Sequence, residues 1–154
     1  MAEDAWVFED KSVRITVSLF KSGTVGPALL DELLTSKYVL FRMDIDNMSK
    51  GKVMFNPGYA VLTDDELSYL KPLDFTDLYD IKGDSEGALK SISELKGRFY
   101  DLDVTVMPGD KTSKLLIFKP LSKRMKKASL AIKEMYVGTD TLKAVFPFAL
   151  KEKK

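Results

Sequence analysis

The stretch from Val104 to Ile132, VTVMPGDKTSKLLIFKPLSKRMKKASLAI, constrains the fold of this chain more than any other. Apolar and polar residues alternate in it with a period of two, which is the pattern of a strand with one buried face. The Pro108-Gly109 pair predicts a tight turn, because proline fixes the first φ angle and glycine accepts a positive one. The segment Ser113 to Lys119 is apolar on both faces, which indicates a central strand or one partly covered by a helix. Three strands, a turn and a basic loop are therefore expected here.

The same alternation recurs elsewhere in the chain, with turn-forming residues between the apolar segments. Further strands are predicted over Ser12 to Phe20, Tyr38 to Asp46, Val53 to Phe55, Tyr59 to Thr63 and Thr141 to Leu150. Short strands separated by regularly spaced turns are typical of a sandwich rather than a barrel. We therefore predict a mainly β fold, an antiparallel β-sandwich of about seven to nine strands, formed by a single domain over residues 1–154.

One or two short helices interrupt this pattern. Pro27 precedes the segment Ala28 to Leu34, and a proline at the first helical position loses no hydrogen bond. Apolar residues at helical spacing predict a second helix over Glu86 to Lys96, with Gly97 as a stop. The segment Asp74 to Lys82 is compatible with a turn of helix or with an irregular edge.

Composition excludes several classes of site. The chain has no cysteine and no histidine, so disulfides, thiol chemistry, zinc ribbons and a Ser-His-Asp triad are absent. Its 24 basic and 23 acidic residues leave a net charge of +1. Nucleic-acid binders usually carry a clear basic excess, so no nucleic-acid partner is expected.

Three acidic regions suggest alternatives that involve carboxylates. Asp44 opens a segment resembling an EF-hand loop, but the required sixth-position glycine is Ser49, so that motif fails. Loop carboxylates remain candidates for a Ca²⁺- or small-ligand-binding sandwich. They lie in two groups: Asp64, Asp65 and Glu66, and Asp74, Asp77, Asp80 and Asp84. Paired carboxylates also leave a carboxylate-based hydrolase as an alternative. No catalytic, metal or cofactor-binding residue and no cofactor is assigned.

The basic loop is the candidate interaction site. Four cations occupy five positions: Lys123, Arg124, Lys126 and Lys127. Such a loop attracts anionic lipid headgroups, while the ordinary interpretation is a solvated loop. Contact with a membrane surface through this loop is therefore one expectation.

Aromatic residues allow two interpretations. Trp6 and Phe8 either fasten the N-terminal segment onto the core or expose an aromatic anchor. Five tyrosines near strand or turn edges either pack into the core with the hydroxyl at water or rim a binding face. They are Tyr38, Tyr59, Tyr69, Tyr79 and Tyr100.

Several segments together resemble the immunoglobulin-like domains of bacterial exported lipoproteins of unknown function. They are YVLFRMDIDNMS, YAVLTDDELSY, PGDKTSKLLIFKPL and ASLAI, and the resemblance covers Val13 to Leu150. It implies an immunoglobulin-like sandwich and secretion, with a leader and a lipid-bearing cysteine ahead of the chain. It transfers no catalytic residue. The two predicted helices and the long basic loop depart from the pattern.

These observations favour a non-enzymatic binding or assembly module of the bacterial cell envelope. We expect it in the periplasm or at the cell surface, with a lipid anchor, if a leader was removed, and in the cytoplasm otherwise. Its expected partner is another protein or an envelope component.

Overall fold

The computed structural model describes residues 5–20, 28–64, 69–82, 90, 92–95, 97–100, 102–120 and 127–149. Its strands are Ala5–Glu9 (β1), Val13–Leu19 (β2), Val39–Asn47 (β3), Val53–Phe55 (β4), Ala60–Asp64 (β5), Tyr69–Leu70 (β6), Val104–Val106 (β7), Lys111–Phe118 (β8), Lys127–Val137 (β9) and Asp140–Ala149 (β10). Its helices are Ala28–Thr35 (α1) and Phe75–Lys82 (α2), and a short 3-10 turn spans Pro57–Tyr59.

The strands form two antiparallel sheets. Sheet A has the order β1-β2-β3-β8. In sheet B the long strand β9 pairs with β10 along one edge, and with β5 and then β4 along the other. Strand β6 extends the sheet beyond β5, and β7 extends it beyond β4. The predicted mainly β sandwich is therefore confirmed.

The main core lies between the two sheets, where alternation places every second residue of a strand. Val13, Ile15 and Val17 of β2 are fully buried there, and they face the inward residues of sheet B. Aromatic pairs of this core pack edge to face, with the ring centroids of Phe41 and Phe118 5.9 Å apart and those of Phe55 and Tyr100 5.2 Å apart. Such packing stabilises the core beyond the area that it removes from water.

A second core covers part of the outer face of sheet A. Leu29, Leu30 and Leu33 of α1 and Leu78 of α2 are buried in it. The residues that they cover are on β3 and β8, namely Leu40, Leu115 and Ile117. This explains why β8 is apolar on both faces: it is covered by helices on its outer side, as one of the two predicted alternatives had it.

The free edge of β8 is also covered. The backbone N–H of Leu73 donates to the carbonyl oxygen of Ile117 at 2.7 Å, and that of Tyr100 donates to Leu115 at 2.8 Å. Phe99 forms an isolated parallel bridge with Leu115. Leu73, before α2, and the segment Phe99–Tyr100, before β7, therefore act together as a partial fifth strand of sheet A.

Three local predictions need correction or completion. The described strands number ten, because the segment before Lys11, for which no strand was predicted, forms β1, and Tyr69–Leu70 forms β6. Asp74 to Lys82 is helical from Phe75 onward. Of the predicted helix Glu86 to Lys96, only Lys90, Ile92 and Ser93 are described as helical, and most of its other positions lie outside the described residues.

Trp6 packs inward. Its ring centroid lies 4.1 Å from that of Phe148 on β10, so an aromatic pair joins the edges of the two sheets. The interpretation of Trp6 and Phe8 as a fastening of the N-terminal segment is confirmed, since both side chains are partly buried against the main core.

Asn47 organises the end of the sandwich where four turns meet. Its side chain is completely buried and donates hydrogen bonds of 2.8 Å to the carbonyl oxygens of Gly51 and Val106. Its backbone N–H and carbonyl bond to Asp110 and Gly109 in the turn before β8. A fully satisfied buried amide fixes the turns relative to one another.

Neither helix among the described residues has the length and apolar character needed to cross a membrane.

Candidate interaction surfaces

The predicted basic loop falls mostly outside the described residues. Lys123, Arg124 and Lys126 are not described, and Lys127 is the first residue of β9. The contact expected there with a membrane surface therefore stays a prediction.

The acidic residues before α2 cap that helix. The backbone N–H of Asp77 donates to the Asp74 carboxylate at 2.9 Å, and the N–H of Asp74 donates to the Asp77 carboxylate at 3.0 Å. This reciprocal arrangement satisfies two backbone donors that a helix start would otherwise leave unpaired. Within the described ranges, no three carboxylates gather as a metal site would require. Asp65, Glu66 and Asp84 lie outside those ranges.

The open half of the outer face of sheet A carries alternating charges. The strand register places Glu9 beside Arg14, Arg14 beside Asp46, and Asp46 beside Lys111. Opposite charges in neighbouring strands stabilise that register. Arg14 contacts Glu9 at 2.5 Å, so this charge row is partly neutralised within the protein.

A shallow cleft of about 320 Å³ lies over this row. Arg42 borders it and is held by Asp44 and by Ser113, whose hydroxyl oxygen accepts from the guanidinium at 2.9 Å. Cations and carboxylates are mixed in its lining, so the cleft has no single charge that would select an anion or a metal ion. Asp44 and Asp46, which began the EF-hand-like segment, thus lie within the charged face of the sheet.

The outer face of sheet B has a different character. We call Met54, Tyr59, Tyr69, Tyr136 and Val145 the tyrosine face. Met54 of β4 is 45% exposed, Tyr69 of β6 52% and Val145 of β10 64%. Exposed tyrosine and methionine are enriched in protein interfaces. In the described part of the chain, no helix covers this sheet as α1 and α2 cover sheet A.

Register connects the members of the tyrosine face. Met54 is the neighbour of Tyr136, which is in turn the neighbour of Thr141. Farther along the sheet, Val61, Ala131 and Val145 form a second row across β5, β9 and β10. The exposed side chains therefore lie on one continuous surface.

Lys133 joins the two sides of this surface. Its ammonium group lies 4.6 Å from the centroid of the Tyr69 ring and donates a hydrogen bond to the Tyr69 hydroxyl. To reach β6 from β9, the side chain crosses β5 beside Val61, which is only 1% exposed although it points outward. The lysine stem thus fills part of the outer face, while its charge adds a cation–π contact to Tyr69.

A β-bulge lies in the middle of the same surface. The register between β9 and β10 shifts between Leu142 and Ala144, so Lys133 and Glu134 stand opposite Lys143 alone. A hydrogen bond with Glu134 raises the pKa of the Tyr136 hydroxyl. Bulges often redirect side chains beside functional sites, and this one projects charged groups among the tyrosines.

Sequence reasoning found part of this surface. Tyr59 and Tyr69 belonged to the candidate aromatic rim, and both lie on the tyrosine face. Tyr100 is instead buried and donates to the carbonyl oxygen of Met43 at 2.8 Å, and Tyr38 packs against the second core. Met54, Tyr136 and Val145 were not singled out, although each is an apolar residue at an outward position of an alternating strand.

The comparisons with known proteins support the fold. No family model matches the sequence, and no curated protein matches it. The solved structure of the yjhA protein from Bacillus subtilis has a TM-score of 0.50 and 14% identity, over 82% of this chain and 76% of that one. The "putative lipoprotein (ycdA)" of Bacillus subtilis has a TM-score of 0.53 and 11% identity, over 99% of this chain.

This chain spans only 40% of the length of that second protein. A DUF4426 family protein from Pseudomonas aeruginosa has a TM-score of 0.49 and 11% identity, over 98% of both chains. At these identities, the first two likenesses show that the fold is shared with solved proteins and leave the activity open.

Proposed function

We propose that this chain is a non-enzymatic, extracytoplasmic binding or assembly module of the bacterial cell envelope, built on an immunoglobulin-like sandwich. The tyrosine face is its contact surface for another protein. The observation that carries the proposal is the contrast between the two outer faces, one charged or covered by helices and the other exposing tyrosine, methionine and valine.

The strand order supports the immunoglobulin-like assignment. In such sandwiches, strands A, B and E lie side by side in one sheet and strands C, F and G in the other. Here β2, β3 and β8 are neighbours in sheet A, and β9 lies between β10 and the β4–β5 pair in sheet B. In chain order, β2, β3 and β8 therefore correspond to strands A, B and E, and the β4–β5 pair, β9 and β10 correspond to strands C, F and G. Strand β1 is an addition that precedes the strand corresponding to A.

The chemistry of the tyrosine face supports a protein partner. Tyrosine combines a large apolar ring with a hydroxyl, so it contributes contact area without much loss of conformational entropy. The hydroxyl of Tyr69 is already oriented by Lys133. Side chains that are held before binding lose less entropy when a partner arrives.

An extracytoplasmic location is supported by the fold likeness to a protein described as a lipoprotein and by the sequence resemblance to exported domains. Neither of the two alternative functions, calcium binding and hydrolysis, is supported by a comparable group of described residues. The calcium alternative loses Asp74 and Asp77, which cap α2. The hydrolase alternative would need an acid and a base arranged around a substrate site, and the cleft on sheet A mixes Asp44 with arginine.

The proposal is tested by photo-crosslinking in cells of the native host. A photoreactive phenylalanine derivative replaces Tyr59 in one variant and, as a matched control on the other sheet, Thr16 in a second variant. Both positions lie outside the cores. We expect a discrete crosslinked protein from position 59, in the envelope fraction, and none from position 16. Equal adducts at both positions, or none at 59, would contradict the proposal.

A further inference from the structure

Strand β10 has a long edge without a partner strand. Nine of its ten residues have a register neighbour on β9, with Lys143 at the bulge, and the described part of the chain supplies no strand on the other side. The remaining sheet edges are shorter or covered: β6 has two residues, β7 three and β1 five, and β8 bonds to the segment before β7. A long unpaired edge is a template for an added strand.

The hydrogen-bonding direction along β10 follows from Pro147 and from the turn. Ser129, the register neighbour of Pro147, has its carbonyl oxygen 3.5 Å from the Thr63 hydroxyl on β5. Since that carbonyl points toward β5, the backbone of Pro147 points away from β9. Asp140 and Val137 close a two-residue turn and face each other. Counting in twos from either end of β10 therefore gives the same set of residues whose backbone groups point away from β9.

Thr141, Lys143 and Val145 therefore direct their backbone N–H and carbonyl groups away from the protein. Pro147 offers only a carbonyl, so it limits the length over which another strand can pair. The side chains of these residues are exposed on the outer face of sheet B. An added strand would meet a threonine, a lysine and a valine in turn and would continue the surface that carries Tyr136.

A second copy of the chain does not fit this edge well. If two β10 strands pair antiparallel over Thr141 to Val145, the part of the edge that Pro147 leaves free to donate and accept, Thr141 stands opposite Val145 and Lys143 stands opposite Lys143. Like charges in directly opposed positions destabilise strand pairing. Lysine on an edge strand is a known protection against such self-association.

The geometry points to an extended peptide segment of a partner protein as the occupant, pairing with β10 over Thr141 to Val145 and placing an acidic side chain opposite Lys143. The ion pairs among the described residues are those of Arg14 with Glu9 and of Arg42 with Asp44, so neither engages Lys143. Main-chain hydrogen bonds provide the affinity in this mode of binding, and the side-chain pairs provide the specificity. This inference rests on the proposed function, since it names the kind of partner that the tyrosine face receives.

The test uses two fluorescein-labelled nonapeptides, Thr-Val-Thr-Val-Glu-Val-Thr-Val-Thr and the same peptide with Lys in place of Glu, with fluorescence polarisation as the readout. We expect the Glu peptide to bind about threefold more tightly, because opposite charges meet across the strands. The K143E variant should invert this order. Hydrogen exchange should slow at the amides of Thr141, Lys143 and Val145 when the Glu peptide is bound.

The V145P variant removes one outward N–H in the way that Pro147 already does, so the pairing with β9 is retained. It should weaken both peptides about tenfold, whereas V145T, which keeps the N–H, should not. Circular dichroism establishes that each variant is folded. Binding unchanged by V145P and K143E, absence of binding by both peptides, or self-association through β10 would each overturn the inference. Crosslinking at position 59 together with any of these results would leave the proposed function standing.

Discussion

The buried side-chain amide of Asn47 donates a 2.8 Å hydrogen bond to the carbonyl oxygen of Val106, 59 residues away in the sequence. The same amide nitrogen donates to Gly51, and its side-chain oxygen accepts from the backbone N–H and the hydroxyl of Ser49. All the polar atoms of this side chain are therefore satisfied inside the protein. One residue links the turn after β3 to the end of β7.

Replacing Asn47 should destabilise the protein more than any exposed substitution. In Asn47→Leu, the shape is kept approximately while the Val106 carbonyl loses this donor and the Ser49 N–H loses its acceptor; the Gly51 carbonyl keeps the Ser49 hydroxyl as a donor. Each unsatisfied buried group costs about 1–3 kcal/mol. We expect the free energy of unfolding to fall by about 3 kcal/mol in urea denaturation. The exposed Met48→Leu variant is the neighbouring control, and an equal effect of both would contradict this role of Asn47.

The burial of Tyr100 predicts a loss of stability in alkaline solution. Burial raises the pKa of its hydroxyl above the ordinary value of 10.0. The unfolded chain therefore releases this proton at a lower pH than the folded protein does. The contribution to stability is complete below about pH 10 and is lost as the pH rises toward the folded pKa. Urea denaturation between about pH 9 and 11 should show this decline.

Tyr100→Phe should remove that part of the pH dependence and also lower stability near neutral pH by about 1 kcal/mol, because the carbonyl of Met43 loses its donor. Tyr59→Phe, at an exposed position, is the matched control. If the two variants lose stability in parallel with the wild type up to pH 11, the buried hydroxyl is not the cause.

Much of the sandwich was predictable because alternation of apolar residues determines which side of a strand is buried. β2, β3 and β8 were recognised in this way. β1 was not, since four of its five residues, AWVFE, are consecutive apolar residues and show no alternation with polar ones. The sequence did not decide whether helices cover β8, because a strand that is apolar on both faces has the same pattern whether it lies under a helix or in the centre of a sheet.

The candidate surface was harder to predict for a physical reason. A single exposed valine or methionine on a strand is ordinary, and only the register shows that Met54, Tyr136 and Val145 share one face. The basic loop was easier to notice, since its charges are consecutive in the chain. Consecutive charges show that a loop is solvated, whereas a contact surface depends on residues that are distant in sequence.

Gly51 should tolerate no larger residue. A Cβ atom at this position would lie 3.0 Å from the Cα atom of Gly138, and the N–H of Gly138 donates to the Lys52 carbonyl at 2.8 Å. Gly51→Ala must therefore shift a backbone that is held by a hydrogen bond. We expect a loss of about 1–3 kcal/mol in thermal or urea denaturation. Gly58→Ala, whose added atom would meet only the Asn56 side chain, should cost less, and the reverse order would contradict the argument.

The capping role of Asp74 and Asp77 gives a test that also bears on calcium. Asp74→Ala should lower stability by about 1 kcal/mol, because the N–H of Asp77 loses its acceptor at the start of α2. Asp74→Asn should retain most of the stability, since an amide oxygen also caps. Calcium should not change the melting temperature of the wild type relative to EDTA, whereas a bound ion would raise it by mass action. A rise abolished by Asp74→Asn would show that the pair binds metal.

The charge row on sheet A predicts a salt-dependent effect at Arg14, which has Glu9 and Asp46 as register neighbours. Arg14→Glu places three carboxylates side by side, while Arg14→Gln only removes the favourable contacts. We expect losses of about 1 kcal/mol and about 0.5 kcal/mol, respectively, in urea denaturation at low salt. Salt screens exposed charges, so the two variants should converge near 1 M NaCl, where the screening length is about 3 Å.

The additional substitution Glu9→Arg should recover part of the loss in the Arg14→Glu background by restoring one opposite pair. If Arg14→Glu and Arg14→Gln are equally stable at low salt, the row contributes nothing to the pairing of β1, β2 and β3.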